Sequence, residues 1–120
     1  MDFTLNEQQI ELQRVAKDFA QKEMVSVALE MEEKNIPLPK DWLKKYAEMG
    51  FLGINVGKKY GGLGLSNLEA LLVIEEFAKI SSAVAFPIFE SCVGPVKAIE
   101  HFANANLKMR VIPEVCQGNI

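Results

Sequence analysis

The sequence predicts an all-α fold, a compact bundle of five or six helices packed as one domain. Apolar residues recur at steps of three, four and seven along several segments, which is the period of an amphipathic helix. Two of these segments open with the Ser/Thr-x-x-Glu pattern of a capping box. Strand-like alternation is confined to the short stretch "FLGINVG", and a lone strand would have no partner in this chain.

The first helix is predicted to begin at a capping box formed by Thr4 and Glu7. It ends near Lys34, because the two prolines of the following "NIPLPKDW" cannot donate to a helical ladder. The predicted buried stripe of this helix consists of Leu12, Val15, Ala16, Phe19, Ala20, Val27, Ala28 and Met31.

A short helix is predicted to open at Pro39 or Lys40 and to end at Gly50, since glycine readily takes the left-handed conformation that follows a helix. Its predicted inward residues are Trp42, Leu43, Tyr46, Ala47 and Met49.

A glycine-rich turn, "GGLG" at residues 61–64, leads to a second capping box at Ser66 and Glu69, where another helix should start. The turn could serve as a phosphate cradle or as a purely structural turn. A dinucleotide-binding fingerprint is excluded because Asn67 stands where the third glycine should be, and no Gly-Lys-Ser/Thr follows to make a P-loop. A structural turn is the favoured interpretation.

Ser81 or Ser82 can cap a further helical segment, which is apolar almost all round and is interrupted by Pro87, Gly94 and Pro95. A segment of this composition is expected to be buried, kinked, or both. A last helix is predicted over about residues 106–115, and Gly118 should stop it.

Composition narrows the function classes. The chain has 120 residues and a net charge of −3, so no basic field is available for nucleic acid. The spacing of the two cysteines, Cys92 and Cys116, and of the single His101 does not match that of a metal site. The sequence therefore predicts two free thiols and no metal site. With no secretory signal pattern and no run of about 18 apolar residues, the sequence predicts a cytoplasmic protein without a membrane span.

Glu90 is the carboxylate with the most apolar sequence neighbours, and its pKa would rise if Phe86, Pro87, Phe89 and Val93 also surround it in space. The alternative is that Glu90 lies on the one solvated edge of its helix. With one histidine and no second placed acid, the sequence assigns no catalytic residue.

The order of the motifs resembles that of the N-terminal helical domain of the acyl-CoA dehydrogenase family. The resemblance covers the whole chain and is carried by the stretches "FTLNEQQIELQRVAKDFAQKEM", "PKDWLKKYAEMGFLGINV", "YGGLGLSNLEALLVIEEFAK" and "LKMRVIPEVCQG". The chain departs from the family pattern where Gly57 replaces a usual proline and Lys58-Lys59 replaces an acidic pair.

The resemblance implies an FAD flavoprotein that oxidises an acyl-CoA thioester to its α,β-enoyl form, with an electron-transfer flavoprotein or a similar acceptor as partner and a homo-oligomeric full-length protein. In this family the catalytic base and the flavin-binding loops belong to a middle β domain and a C-terminal helical domain, both outside residues 1–120. No catalytic base and no flavin-binding residue is therefore assigned here.

By position, the resemblance implies that the helix after "EEFAK" forms one wall of the acyl pocket. The substrate-lining candidates on one face of it are Phe86, Pro87, Glu90, Ser91 and Gly94. The alternative is that these residues pack only against the domain's own helices. At the level of the whole chain, the alternatives are a stand-alone helical interaction module that kept the fold without the chemistry, or an acyl-CoA or nitroalkane-type oxidase on the same scaffold.

Overall fold

The computed structural model describes residues 2–120, and it confirms the all-α prediction. No strand is present in that part of the chain. The helices are α1 (Glu7–Phe19), a π-helical turn (Ala20–Met24), α2 (Val25–Lys34), α3 (Lys40–Glu48), a 3-10 turn (Lys58–Tyr60), α4 (Asn67–Ala78), α5 (Ser82–Cys92), α6 (Pro95–Phe102) and α7 (Ala105–Cys116).

The chain enters α1 through Asn6, so the predicted capping box at Thr4 and Glu7 is wrong by two residues. The Oδ1 atom of Asn6 accepts from the backbone N–H of Gln9 at 2.8 Å, and Oε1 of Gln9 accepts from the backbone N–H of Asn6 at 3.0 Å. Asparagine caps a helix at least as well as threonine, so the later start loses nothing. The backbone N–H of Thr4 donates instead to Asp2.

The helices α1 and α2 form one continuous rod, joined by the wider π-helical turn. The predicted stripe of this rod is confirmed, because all of its members belong to the main core or pack against it. When the rod is counted as one helix, residues 2–120 contain six helices, within the predicted number.

Four aromatic rings hold the centre of the core. Phe19, Tyr46, Phe51 and Phe77 all lie within 6.4 Å of one another by ring centroids, mostly edge to face, which is a favourable arrangement for aromatic pairs. Gln9 donates to Glu69 near the starts of α1 and α4, and Phe19 meets Phe77 near their ends. The two helices therefore run parallel, although about 60 residues separate them along the chain.

The end of α3 follows the predicted glycine stop. The backbone N–H of Phe51 donates to the carbonyl of Tyr46 at 2.9 Å, and that of Gly50, at φ +78°, donates to Ala47 at 3.0 Å. This pair of bonds is a Schellman motif. The predicted inward position of Met49 is wrong, because Met49 lies beyond the last helical residue and is 45% exposed.

The predicted interruption at Gly94 and Pro95 is confirmed, because α5 ends at Cys92 and α6 begins at Pro95. The predicted interruption at Pro87 is wrong, because α5 continues through this proline, which removes only one bond of the helical ladder. Ser81 caps α5 by accepting from the backbone N–H of Ala83 at 3.1 Å. By length and composition alone, the span Ser82–Phe102 is apolar enough to cross a membrane, since an 18-residue window within it has a mean hydropathy of 1.2. Buried core helices also meet this criterion. The expectation of no membrane span therefore stays a prediction.

Candidate functional site: an apolar groove beside α5

The helices α5, α6 and α7 enclose a groove together with α3 and the loop before it. Its volume is about 400 Å³, within the usual range for small-molecule sites. Its lining is apolar with one exception, Glu90, which is the only charged residue among the described residues that line it. The apolar lining includes Leu38, Leu43, Pro87, Val96, Ile99 and Val115.

The structure brings two of the five predicted lining residues into this groove, Pro87 and Glu90, which lie one turn apart on α5. Glu90 is exposed rather than enclosed by its apolar sequence neighbours. The second interpretation from the sequence, a carboxylate on the solvated edge of its helix, therefore describes its position.

Ser91 is separated from the groove because its side chain has no exposed surface. Its Oγ accepts from the backbone N–H of Gly53 at 3.1 Å and donates to the carbonyl of Ile88 at 3.0 Å. Ser91 thereby ties the segment before the glycine turn to α5, and a ligand in the groove does not reach it.

Phe86 and Gly94 lie outside the groove. The ring of Phe86 is 55% exposed and lies 5.4 Å, centroid to centroid, from that of Phe89. A Cβ on Gly94 would meet the Phe89 ring at 2.9 Å, so the absent side chain at Gly94 makes room for that ring. Any role for Phe86 and Gly94 toward a substrate stays a prediction.

The groove also contains residues that the sequence interpretation missed, among them Val96 and Ile99 on α6, Val115 on α7 and Leu43 on α3. Of these four residues, the apolar periodicity predicted only Leu43 to face inward. It gave no signal that four separate elements leave a space between them.

The glycine turn is structural, because its backbone N–H groups donate to carbonyls of the same domain and are not free to bind a ligand. The five consecutive N–H groups of residues 61–65 donate to carbonyls of Lys58, Gly57, Gly53, Val56 and Ile54 respectively. A Cβ on Gly62 would lie only 2.2 Å from the Val56 carbonyl oxygen, so glycine is required there for close backbone packing. These residues do not fit a flavin phosphate, because that ligand needs free N–H groups.

An ion pair ties this turn to α6. The Lys97 ammonium donates to Glu100 Oε1 at 2.5 Å and to the Asn55 carbonyl at 2.8 Å, while Glu100 Oε2 accepts from the Gly57 N–H at 3.0 Å. Burial acts to raise the pKa of the Glu100 carboxyl, but these hydrogen bonds and the positive charge of Lys97 outweigh it and lower that pKa. Lys97 is thus already committed to partners within the domain.

The remaining titratable groups offer no reactive centre among residues 2–120. Cys92 and Cys116 are free and buried, and burial raises the pKa of the Cys116 thiol to about 11, which keeps it protonated. No group of three His, Cys, Asp or Glu side chains in the described chain could hold a metal ion.

A second groove, of about 480 Å³, lies between the first turns of α1 and α4. Leu12, Val15 and Leu65 contribute its apolar surface, and Glu7 and Glu11 lie among its polar lining residues. None of the residues predicted to bind substrate lies there.

Comparisons with known proteins agree with this architecture. The family model described as "Acyl-CoA dehydrogenase, N-terminal domain" matches residues 6–119. An acyl-CoA dehydrogenase of Bacillus subtilis (strain 168) is 31% identical over 115 residues, which are 96% of this chain and 30% of that protein. An acryloyl-CoA reductase (NADH) of Anaerotignum propionicum is 32% identical over 118 residues, 98% of this chain and 29% of that protein.

Among solved structures, butyryl-CoA dehydrogenase from Megasphaera elsdenii superposes with a TM-score of 0.82 at 26% identity, covering 98% of this chain and 31% of that one. The fold and the motif order thus define an N-terminal helical domain of acyl-CoA-processing oxidoreductases. The chain belongs to the acyl-CoA dehydrogenase family, and it spans about 30% of the length of these relatives.

Proposed function

We propose that the polypeptide carrying this domain is an FAD-dependent oxidoreductase that interconverts an acyl-CoA thioester and its α,β-enoyl form, and that the groove beside α5 is one wall of its acyl pocket. The observation that carries the proposal is the apolar groove of about 400 Å³ on the helix where the family resemblance implies acyl binding. Membership of the family supports the reaction class.

The residues of this chain would act by binding and by excluding water. Each methylene that leaves water for the apolar lining contributes about 0.8 kcal/mol, so a short acyl chain gains several kcal/mol from such a wall. FAD would accept a hydride from the substrate, and it would be held by parts of the polypeptide outside residues 1–120. Among residues 2–120, Glu90 is the only titratable side chain that lines the groove, so the proposal assigns no catalytic role to the described residues.

The relatives named above include both a dehydrogenase and a reductase, so membership of the family does not determine the direction of the reaction. We propose acyl-CoA oxidation as the main direction, an electron-transfer flavoprotein or a similar protein as the acceptor, a homo-oligomeric full-length protein and a cytoplasmic location. The first test is to isolate the native polypeptide and to measure its mass and its flavin spectrum. A chain several times longer with bound flavin that acyl-CoA bleaches is the expected result.

A helical interaction module is the second candidate, and the observation that favours it is the amount of apolar side chain left exposed. Leu29, Leu71 and Phe86 are each more than half exposed. Such residues suit contact with another protein as well as with further domains of the same polypeptide. A native product of 13.4 kDa without flavin would contradict the enzyme proposal and leave this module.

A further inference from the structure

We infer that Glu90 selects acyl groups whose far end carries a hydrogen-bond donor, a hydroxyl or an ammonium group. This inference deepens the proposed function and rests on it. It starts from one contrast in the groove beside α5: among the described residues that line it, Glu90 carries the single carboxylate side chain and the other side chains are apolar.

The carboxylate of Glu90 has no partner of its own in the part of the chain that the structure describes. Its oxygens take part in none of the side-chain hydrogen bonds and none of the five ion pairs among residues 2–120. The nearest basic residue along the chain that could have neutralised it, Lys97, already binds Glu100 and the Asn55 carbonyl. Glu90 therefore presents a free acceptor to whatever fills the groove.

The occupant of the groove decides whether that acceptor is satisfied. An acyl chain that ends in a methyl group would displace water from the carboxylate without replacing its hydrogen bonds, which is costly for a charged group. A terminal hydroxyl or ammonium group would donate to the carboxylate, while the rest of the chain lies against Pro87, Val96 and Ile99. Hydrogen bonds to a charged acceptor are stronger than those between neutral groups. This bond should therefore account for most of the preference for a donor-ended acyl chain over a methyl-ended one.

The competing occupant is a basic side chain from another part of the full-length polypeptide, which would neutralise Glu90 without reading the substrate. The two alternatives differ in what the loss of Glu90 does. Loss of a substrate contact changes the preference among substrates and leaves stability unchanged. Loss of an internal ion pair lowers stability and affects all substrates alike.

The experiment uses the complete flavin-loaded polypeptide and three matched thioesters: hexanoyl-CoA, 6-hydroxyhexanoyl-CoA and 6-aminohexanoyl-CoA. For each, kcat/KM is measured with an artificial electron acceptor, and the corresponding enoyl thioesters are measured with a reduced dye. The variants are Glu90→Leu and Glu90→Gln, with Glu33→Leu as the control, because Glu33 is exposed on α2 and does not line the groove.

In the wild type, we expect at least one donor-bearing thioester to exceed hexanoyl-CoA by about tenfold in kcat/KM. Glu90→Leu should bring the ratio close to one, Glu90→Gln should retain the preference for the hydroxyl but lose that for the ammonium, and Glu33→Leu should change neither. The inference is overturned if Glu90→Leu leaves the ratio unchanged, or if all three rates and the melting temperature fall together. If no thioester reacts in either direction, the proposed function itself fails and this inference falls with it.

Discussion

Replacing Ser91 with alanine tests the conclusion that this residue is a structural tie and not a substrate contact. The Ser91 hydroxyl accepts from the Gly53 N–H at 3.1 Å, and both groups are buried. Ser91→Ala removes the acceptor and leaves that N–H without a partner in a region that water does not reach. The Ile88 carbonyl, which accepts from the same hydroxyl, lies inside α5 and keeps its place in the helical ladder.

The expected cost follows from these contacts. A buried donor left unsatisfied costs about 1–3 kcal/mol, and alanine returns about 0.5 kcal/mol through its higher helix propensity. We therefore expect a net loss of roughly 0.5–2.5 kcal/mol in the free energy of unfolding. For a chain of this size, that corresponds to a fall of roughly 2–10 °C in Tm.

Urea unfolding of the 120-residue chain, followed by far-ultraviolet circular dichroism, measures the change directly. The slope of the free energy against urea should stay constant while the midpoint falls. Ser82→Ala is the matched control, because Ser82 is exposed in the first turn of the same helix. Equal midpoints for the two variants would refute the reasoning and show that Gly53 finds another partner.

Three further predictions concern the turn, the ion pair and the thiols. Gly62→Ala should destabilise the chain by about 3 kcal/mol or more in urea unfolding, because the added Cβ would meet the Val56 carbonyl oxygen. Gly57→Ala is the control, and it should change stability by less than about 0.5 kcal/mol because a Cβ there makes only ordinary contacts. Similar losses for the two variants would contradict the packing argument. Despite the burial that acts to raise it, hydrogen bonding lowers the pKa of Glu100, so its stabilising contribution should be complete above the unfolded pKa of 4.5 and should be lost as pH falls through the lower folded value. Glu100→Gln should therefore flatten the decline in urea midpoint on the acid side, and an unchanged decline would exclude Glu100 as its source. Cys92 and Cys116 should resist a dithiobis-nitrobenzoate reagent at pH about 8 and react once urea is added, because both are buried; immediate reaction of the native chain would contradict their burial.

Local patterns in the sequence predicted the helices well. The capping box at Ser66 and Glu69 is present, because its two residues need only each other and a backbone turn between them. Gly50 and Gly118 end their helices with positive φ, as predicted, because glycine adopts this conformation without a Cβ clash. The start of α1 was misplaced because Thr4 and Asn6 offer two overlapping caps of similar strength.

The site was harder to predict because α5 is apolar on nearly all sides, so its sequence does not indicate which side meets the core. Ser91 was predicted to line the substrate pocket, but its hydroxyl binds the backbone N–H of Gly53, which lies 38 residues earlier in the chain. The groove is equally non-local, since Leu43, Ile99 and Val115 meet only when α3, α6 and α7 have packed. Periodicity assigns a residue to a face, but it does not indicate where neighbouring faces fail to close.

The segment from Gly53 to Leu65 contains only a single turn of 3-10 helix, yet ten of its thirteen backbone N–H groups donate hydrogen bonds within the domain. Amide protons in connecting segments usually exchange with solvent within seconds to minutes, because they open without disturbing the core. Here the Gly53, Ile54, Leu63 and Gly64 amides all donate to partners within the domain, two of them to side chains of α5. Their deuterium uptake should therefore follow the global unfolding of the domain, which makes this segment an unsuitable place for a peptide insertion or a protease site.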